Sequence, residues 1–109
     1  MGLVTSSAST NNHNLYFSKD ELAKILNLYS KGDTSGEWKD YAIDFNKNNA
    51  FFYIFKHSLA APECILNKSL ERKKKKVFYN LKSKNKIKKF ESLDALISSL
   101  NRKIFKLVN

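Results

Sequence analysis

Residues 36–55, GEWKDYAIDFNKNNAFFYIF, decide the fold class of this chain. In residues 40–45, apolar side chains alternate with mostly polar ones, as in an antiparallel strand with one buried face. The polar NKNN at 46–49 is typical of a short hairpin turn, because Asn tolerates a left-handed backbone. Every residue from 51 to 55 is large and apolar, which predicts a central strand buried on both sides. The stretch therefore predicts a β-hairpin against which flanking helices pack.

A helix is predicted on each side of the sheet-forming region. Ser18 and Glu21 have the spacing of a capping box at the start of the first helix, and Gly32 is the expected left-handed residue at its end. Ser92 is the expected N-cap of the second helix, with Asp94 in the first turn, where a negative charge suits the helix dipole. The apolar faces are Leu22, Ile25, Leu26 and Tyr29 in the first helix and Leu93, Leu96, Ile97 and Leu100 in the second.

Three further strands are predicted after the hairpin. Residues 62–66 form the third strand, 68–76 a basic connection, 77–81 the fourth strand, 83–86 a turn and 87–90 the fifth strand. The expected fold is α+β, an antiparallel four- to five-stranded meander flanked by an N-terminal and a C-terminal helix.

Length and composition predict one domain. The chain has 109 residues, 42% of them hydrophobic, which is enough for a self-sufficient core. Residues 1–14 are rich in Ser, Thr and Asn and are expected to be a disordered lead-in, with residues 15–109 forming a single domain. No apolar run approaches the roughly 20 residues that span a bilayer, and no leader pattern opens the chain. We expect a cytoplasmic protein with no membrane partner.

The net charge of +10 is the strongest compositional signal. Eighteen of the twenty basic residues are lysine, and asparagine occurs twelve times, a pairing typical of a genome rich in A and T. Such a bias favours lysine over arginine, but it does not explain why only ten residues are acidic. The excess indicates either a partner with negative charge or a solvated lysine face.

The basic residues concentrate in a segment that we call the lysine-rich arm. Folded as a β-hairpin, it would present ammonium groups that neutralise the phosphates of RNA or DNA. Phe78 and Tyr79 lie among these residues, and a ring would stack on an unpaired base if exposed or belong to the core if buried. The arm consists of Arg72, Lys73, Lys74, Lys75, Lys76, Lys82, Lys84, Lys86, Lys88 and Lys89.

A second hypothesis is a protein-interaction or self-association domain. Trp38 and Tyr41 are residue types enriched at interfaces, and an exposed sheet edge can pair with another strand. Trp38 is alternatively a buried anchor of its loop.

Asp40 and Asp44 share one face of their strand and could present paired carboxylates for acid–base chemistry, with His57 as a third group.

Catalysis by these carboxylates is the third hypothesis, and nothing else in the sequence completes a catalytic site. It contains no Gly-rich phosphate loop, no His or Cys pair at metal-ligand spacing, and no Ser-His-Asp arrangement in a supporting context. Cys64 has no neighbour that would stabilise a thiolate, so we expect it to be a small buried hydrophobe. We predict a non-enzymatic binding module without cofactor or metal.

Four segments carry a resemblance: FSKDEL at 17–22, GEWKDYAIDF at 36–45, AFF at 50–52 and NRKIFKLV at 101–108. Together they resemble the alphaproteobacterial domain-of-unknown-function family 2794. The resemblance extends over residues 15–108 and implies a bacterial cytoplasmic protein. It implies no activity and no site residue, and the lysines between positions 68 and 89 are denser here than in the family pattern.

Overall fold

A computed structural model of the chain describes residues 14–105. The helices are α1 (Lys19–Thr34) and α2 (Leu93–Phe105), and the strands are β1 (Asp40–Phe45), β2 (Asn49–Phe55), β3 (Cys64–Glu71), β4 (Lys76–Ser83) and β5 (Lys86–Phe90). The strands form one antiparallel sheet in chain order. The predicted α+β meander between two helices is confirmed. The predicted lead-in lies outside the described residues, except for its last residue.

Both helices pack on the same face of the sheet, which we call the helix side. Its centre is the cross-strand row Phe52, Leu66 and Leu81, which are 0%, 0% and 5% exposed. Burying a side chain of this size contributes about 1.5–3 kcal/mol, so this row and the helix residues above it form the core. The buried side chains that the helices contribute are Ile25, Leu28, Leu93, Leu96 and Leu100.

The other sheet surface, which we call the open face, is covered by no helix or strand of the described chain. Phe51, Tyr53 and Phe55 point to it and are only partly buried. The expectation that β2 is buried on both sides is therefore wrong, because neither helix crosses to this face. The open face is formed by Asp40, Ala42, Asp44, Asn49, Phe51, Tyr53, Phe55, Ile65, Asn67, Ser69, Glu71, Lys76, Phe78, Asn80, Lys82, Ile87 and Lys89.

Strand β1 is an edge strand with all six residues exposed. Its apolar residues Tyr41, Ile43 and Phe45 point to the helix side, as their alternation predicts, but they remain 40%, 43% and 41% exposed. The Tyr41 ring stacks on Phe52 with centroids 4.9 Å apart. The expected buried face of β1 is thus only half formed, because the strand lies at the margin of the core.

Helix α1 begins as predicted and ends later than predicted. The Ser18 hydroxyl accepts from the Glu21 N–H, and the Glu21 carboxylate accepts from the Ser18 N–H, so the capping box is confirmed. Gly32 is not the C-cap, because the helix continues to Thr34 with Ser35 as its C-cap. Gly32 is buried against the Trp38 indole, and Gly36 is the glycine that takes the left-handed backbone, with φ of 84°.

Strand β3 extends into the segment predicted to be a basic connection, which shortens that connection to residues 72–75. Lys68 lies within the strand because Glu21 of α1 pairs with it at 2.7 Å, with the two side chains only 12% and 16% exposed. The Tyr79 hydroxyl of β4 also donates to Glu21. One carboxylate therefore joins α1, β3 and β4.

These contacts shift two pKa values in opposite directions. Burial raises the pKa of Glu21, but hydrogen bonds from Lys68, Tyr79 and Ser18 outweigh burial, so the net pKa is lowered. Burial and the bond to Glu21 raise the pKa of Tyr79. Glu21 is therefore ionised and Tyr79 is neutral at physiological pH.

Helix α2 begins at the predicted cap. The Ser92 hydroxyl accepts a hydrogen bond from the Ala95 N–H at 3.1 Å. Leu96 and Leu100 are 0% and 1% exposed. The helix therefore closes the helix side beside α1, where Lys24 and Asp94 pair at 2.9 Å.

Candidate nucleic-acid interface

The lysine-rich arm forms the β3–β4 turn and the last two strands of the sheet. All ten of its basic residues are exposed. Because β5 is an edge strand, the arm lies along the margin of the sheet opposite β1. The described chain holds two ion pairs from the arm to acidic residues, Lys74 with Glu71 and Lys76 with Glu91, both at 3.7 Å between N and O.

Strand alternation divides the arm between two sheet surfaces. Lys76, Lys82 and Lys89 belong to the open face. Lys86 and Lys88 pair with Ser83 and Leu81, which point to the helix side. The remaining basic residues occupy turns: Arg72 to Lys75 between β3 and β4, and Lys84 between β4 and β5.

The β3–β4 turn is fixed to the neighbouring β1–β2 turn by Arg72. Its Nε donates to Asn48 Oδ1 at 2.7 Å, and its Nη2 donates to the Lys47 carbonyl at 3.0 Å. Lys75 has φ of 52°, so the turn reverses with a residue in the left-handed region. Arg72 thus positions the turn, while the adjacent lysines present their charges to solvent.

Phe78 and Tyr79, the two aromatic residues within the arm, lie on opposite sides of the sheet. Tyr79 is on the helix side, where it contacts Glu21. Phe78 is on the open face, with Lys89 Nζ 3.7 Å and Lys76 Nζ 5.3 Å from its ring centroid. These are cation–π distances, so the Phe78 ring attracts the ammonium groups of two lysines of the arm to the open face.

The Trp38 and Tyr41 pair has unequal exposure. Trp38 is 1% exposed and packs on α1, with its ring centroid 6.1 Å from that of Tyr29. It presents almost no surface to a partner. Tyr41 is 40% exposed and remains accessible on the helix side of β1.

Asp40 and Asp44 cap the edge of the sheet. Each accepts a hydrogen bond at 2.8 Å from the next backbone N–H, that of Tyr41 or Phe45. Asn46 N–H donates toward β2, and since N–H directions alternate along a strand, the Tyr41 and Phe45 N–H groups point away from the sheet.

The two carboxylates do not form an acid–base pair. Four residues along a strand separate them by about 13 Å, beyond the spacing of carboxyl groups that share one reacting bond. His57 lies in the β2–β3 loop. Within residues 14–105, no three His, Cys, Asp or Glu side chains are grouped to hold a metal ion.

Cys64 is in the core, as its context predicts. It is 2% exposed, and burial raises the pKa of its thiol to about 12. It is therefore a thiol rather than a thiolate at physiological pH, without the character of a nucleophile. None of the helices in the described chain has the length and hydropathy to cross a bilayer.

Several open-face residues were missed by the sequence analysis. The Asn67 amide donates to Asn49 Oδ1 and to the carbonyls of Ala50 and Lys68, each at 3.2 Å, and Asn67 Oδ1 accepts from the Asn80 amide at 3.0 Å. A sequence signal for this surface exists, because Lys76, Phe78, Asn80 and Lys82 follow one another at the strand period of two. Because β2 was expected to be buried on both sides, this pattern did not indicate an exposed surface.

Comparison with known proteins identifies a family without assigning a role. The model of the family described as "Protein of unknown function (DUF2794)" matches residues 15–90, which is more than half of the chain and ends where β5 ends. The resembling segment at 101–108 lies beyond the match. No curated protein matches the chain. No solved structure matches it. The chain belongs to the DUF2794 family of proteins of unknown function.

Proposed function

We propose that the chain is a non-enzymatic module that binds nucleic acid through its lysine-rich arm. One observation carries the proposal: ten exposed basic side chains lie on two adjacent strands and their turns, at one margin of the sheet. Their two ion pairs to acidic residues are long and solvent-exposed, so they neutralise little of this charge.

Phosphate binding suits lysines arranged in this way. A protein that neutralises phosphates releases condensed counterions, and this release supplies affinity without sequence specificity. Lys76 and Lys82 are separated by about 20 Å along β4 at the usual rise per residue. The arm is therefore long enough to contact several successive phosphates of one strand.

Fluorescence anisotropy of labelled RNA and DNA, in single-stranded and duplex form, at several salt concentrations tests the proposal. Each lost phosphate contact lowers the slope of log affinity against log salt by about 0.9 on duplex and about 0.7 on a single strand. We expect replacement of Lys73, Lys74, Lys75 and Lys76 by Gln to weaken binding and flatten this slope.

A matched variant separates the arm from net charge. Lys19, Lys31, Lys39 and Lys56 are also exposed but lie outside the arm, and their replacement by Gln removes the same total charge. This variant should keep most of the affinity and slope. Equal losses in the two variants, or no binding by the wild-type chain, would overturn the proposal.

Self-association through β1 is a second candidate function, favoured by the exposed Tyr41, Ile43 and Phe45. In a two-fold antiparallel pairing centred on Ile43, Tyr41 of one copy lies opposite Phe45 of the other, so the surface is self-complementary. The Asp40 and Asp44 caps oppose such pairing. Light scattering over a range of concentrations decides: a dimer that the Ile43→Lys substitution dissociates supports this candidate, and a monomeric wild-type chain rejects it.

A further inference from the structure

We infer that the open face is a stacking platform for unpaired bases, so that the nucleic acid bound is single-stranded. The inference deepens the proposed function and rests on it: the lysine-rich arm holds phosphates, and the aromatic strand β2, which β3 separates from β4, holds bases. The platform consists of side chains of β2, β3, β4 and β5 that lie outside the core and outside the arm's turns.

The aromatic residues of β2 provide the stacking surface. Phe51 and Tyr53 are adjacent on the open face, with centroids 5.8 Å apart and planes inclined by 23°. Both rings are partly exposed, and neither is covered by another element of the described chain. Every base has a π-face, so such rings bind single strands with little sequence preference.

A shallow cavity of about 370 Å³ lies beside these two rings. Its wall opposite the rings is formed by Lys82 and by Ile87, which is 68% exposed. Asn67 and Asn80 line the cavity between the two walls. A planar base entering here would meet an aromatic face, an apolar side chain and amide groups at its edge, which are the contacts that single-strand readers use.

The amides are held in place for this role. Asn67 is fixed by its hydrogen bonds to Asn49, Ala50 and Lys68, and it holds the Asn80 amide through its own oxygen. In the described part of the chain, no hydrogen bond occupies Asn80 Oδ1. This oxygen can accept a hydrogen bond from an exocyclic amine or ring N–H of a base.

Charge is segregated across the open face. One cross-strand row reads Asp44, Phe51, Asn67, Asn80 and Lys89 from β1 to β5. A phosphate is attracted to the lysine margin and repelled from the aspartate margin, so the backbone would follow β4 and β5 with its bases directed toward β2. A duplex has its bases already stacked and paired and could not offer them to the rings.

The test uses the full chain with a short oligouridine and with an RNA hairpin stem that carries the same number of phosphates. Replacing Phe51 and Tyr53 together by Leu removes the rings and keeps an apolar surface. We expect this variant to bind oligouridine about tenfold more weakly or worse, as loss of base stacking predicts. Its affinity for the stem and its salt dependence should change little.

Replacing Tyr41 and Phe45 by Leu is the matched control. They are also one Tyr and one Phe, both exposed, but on the helix side of β1. This variant should bind oligouridine as the wild-type chain does. Equal weakening by both double variants would overturn the inference, since it would show a general effect of losing aromatic residues.

Photocrosslinking of the wild-type chain to oligo(5-iodouridine) tests the inference without any substitution that affects folding. Crosslinks on Phe51 or Tyr53 are expected, and crosslinks confined to the β3–β4 turn would overturn it. The two proposals fail differently. Binding of stem and oligouridine that depends on the arm but ignores the Phe51 and Tyr53 substitutions leaves the proposed function standing and rejects the stacking platform.

Absence of binding to either nucleic acid rejects both proposals. Light scattering on the same samples tests whether a second copy of the chain occupies the open face. If the wild-type chain is a dimer that the Phe51 and Tyr53 substitutions dissociate, the open face is an interface between copies, and the inference is overturned.

Discussion

The Trp38 indole lies directly on the backbone of Gly32, so that a Cβ at residue 32 would clash with the indole carbon Cε3. The helix runs through this glycine and stops only after Thr34. Gly32 is therefore required for the close approach of helix and ring, and its backbone conformation is an ordinary helical one.

The Gly32→Ala substitution should destabilise the fold. Alanine favours a helix by about 1 kcal/mol over glycine, but overpacking against a rigid ring typically costs about 1–3 kcal/mol and occasionally more. Because the ring is rigid, the upper end of this cost applies, and we expect a net loss of about 2 kcal/mol in the free energy of unfolding, measured by urea titration.

The Gly36→Ala variant is the comparison for Gly32→Ala. A Cβ at Gly36 meets no atom within 4 Å, but the residue has φ of 84°, a backbone region that costs L-residues about 1–2 kcal/mol. Replacing Trp38 by the smaller Leu distinguishes the steric contact at Gly32 from the backbone strain at Gly36. In a Trp38→Leu background the Gly32→Ala penalty should shrink and the Gly36→Ala penalty should persist. An unchanged Gly32→Ala penalty in that background would contradict the contact.

Acid should weaken the fold through Glu21. Its pKa is lower in the folded chain than its ordinary value of 4.5, so its ionisation contributes stability above that value, and this contribution is lost as the pH falls through the folded pKa. We expect the free energy of unfolding to fall on acidification below about pH 4.5, and to fall less in the Glu21→Gln variant. Parallel pH profiles would contradict this role.

At neutral pH the Glu21→Gln substitution leaves the largely buried Lys68 side chain, which is 12% exposed, without its anion. Hydrogen bonds to charged groups contribute about 1.5–3 kcal/mol, so we expect a loss of about 2 kcal/mol. Glu71→Gln is the control, because its pair with Lys74 is 3.7 Å long and the side chains are 47% and 72% exposed. An exposed ion pair of this kind contributes at most about 0.5 kcal/mol to the free energy of unfolding.

Cys64 should resist thiol reagents in the folded chain. Its 2% exposure keeps the reagent from reaching the sulfur. Its raised pKa keeps the sulfur protonated, and the thiolate is the form that reacts. We expect negligible modification by a disulfide reagent at mildly alkaline pH and complete modification in urea. The absorbance of the thiol that the reagent releases measures the extent of modification. Rapid reaction without denaturant would show that the β3 position opens in the native state.

Removing the caps on the edge strand should promote association. Asp40→Ala with Asp44→Ala leaves the outward N–H groups of Tyr41 and Phe45 without their side-chain acceptors, and an uncapped edge is a template for pairing. We expect more light scattering at high concentration than from the wild-type chain. Asn at both positions retains an acceptor and removes the same charge, so an equal increase in both variants would point to charge rather than capping.

The sequence was sufficient where local chemistry determines structure. The capping box at Ser18, the alternation along β1 and the cap at Ser92 depend on neighbouring residues, and all were predicted. The end of α1 was mispredicted because Gly32 has a tertiary partner, Trp38, that no local pattern shows. The length of β3 was mispredicted because Lys68 looks like a connecting residue until Glu21, distant in the chain, supplies its counter-ion.

The candidate site was predictable only in part. A run of lysines identifies the arm by composition, but the division of its charges between open face and helix side follows from the pairing of β4 with β5. The open aromatic face could not be inferred from β2 alone. An all-apolar strand has the same sequence whether one or two layers cover it, and the side on which α2 packs is a tertiary property.

The strand order also bears on how the chain folds. Every strand pairs with its neighbour in the chain, so the sheet closes only short loops, whereas α1 and α2 meet across contacts such as Lys24 with Asp94, which are 70 residues apart. Contacts between distant segments form late because their loops are entropically expensive. The entropic cost of loop closure therefore falls mainly on the contact between the two helices rather than on the sheet. Mutual repulsion between chains of net charge +10 opposes aggregation of any chain in which the helices do not cover the sheet.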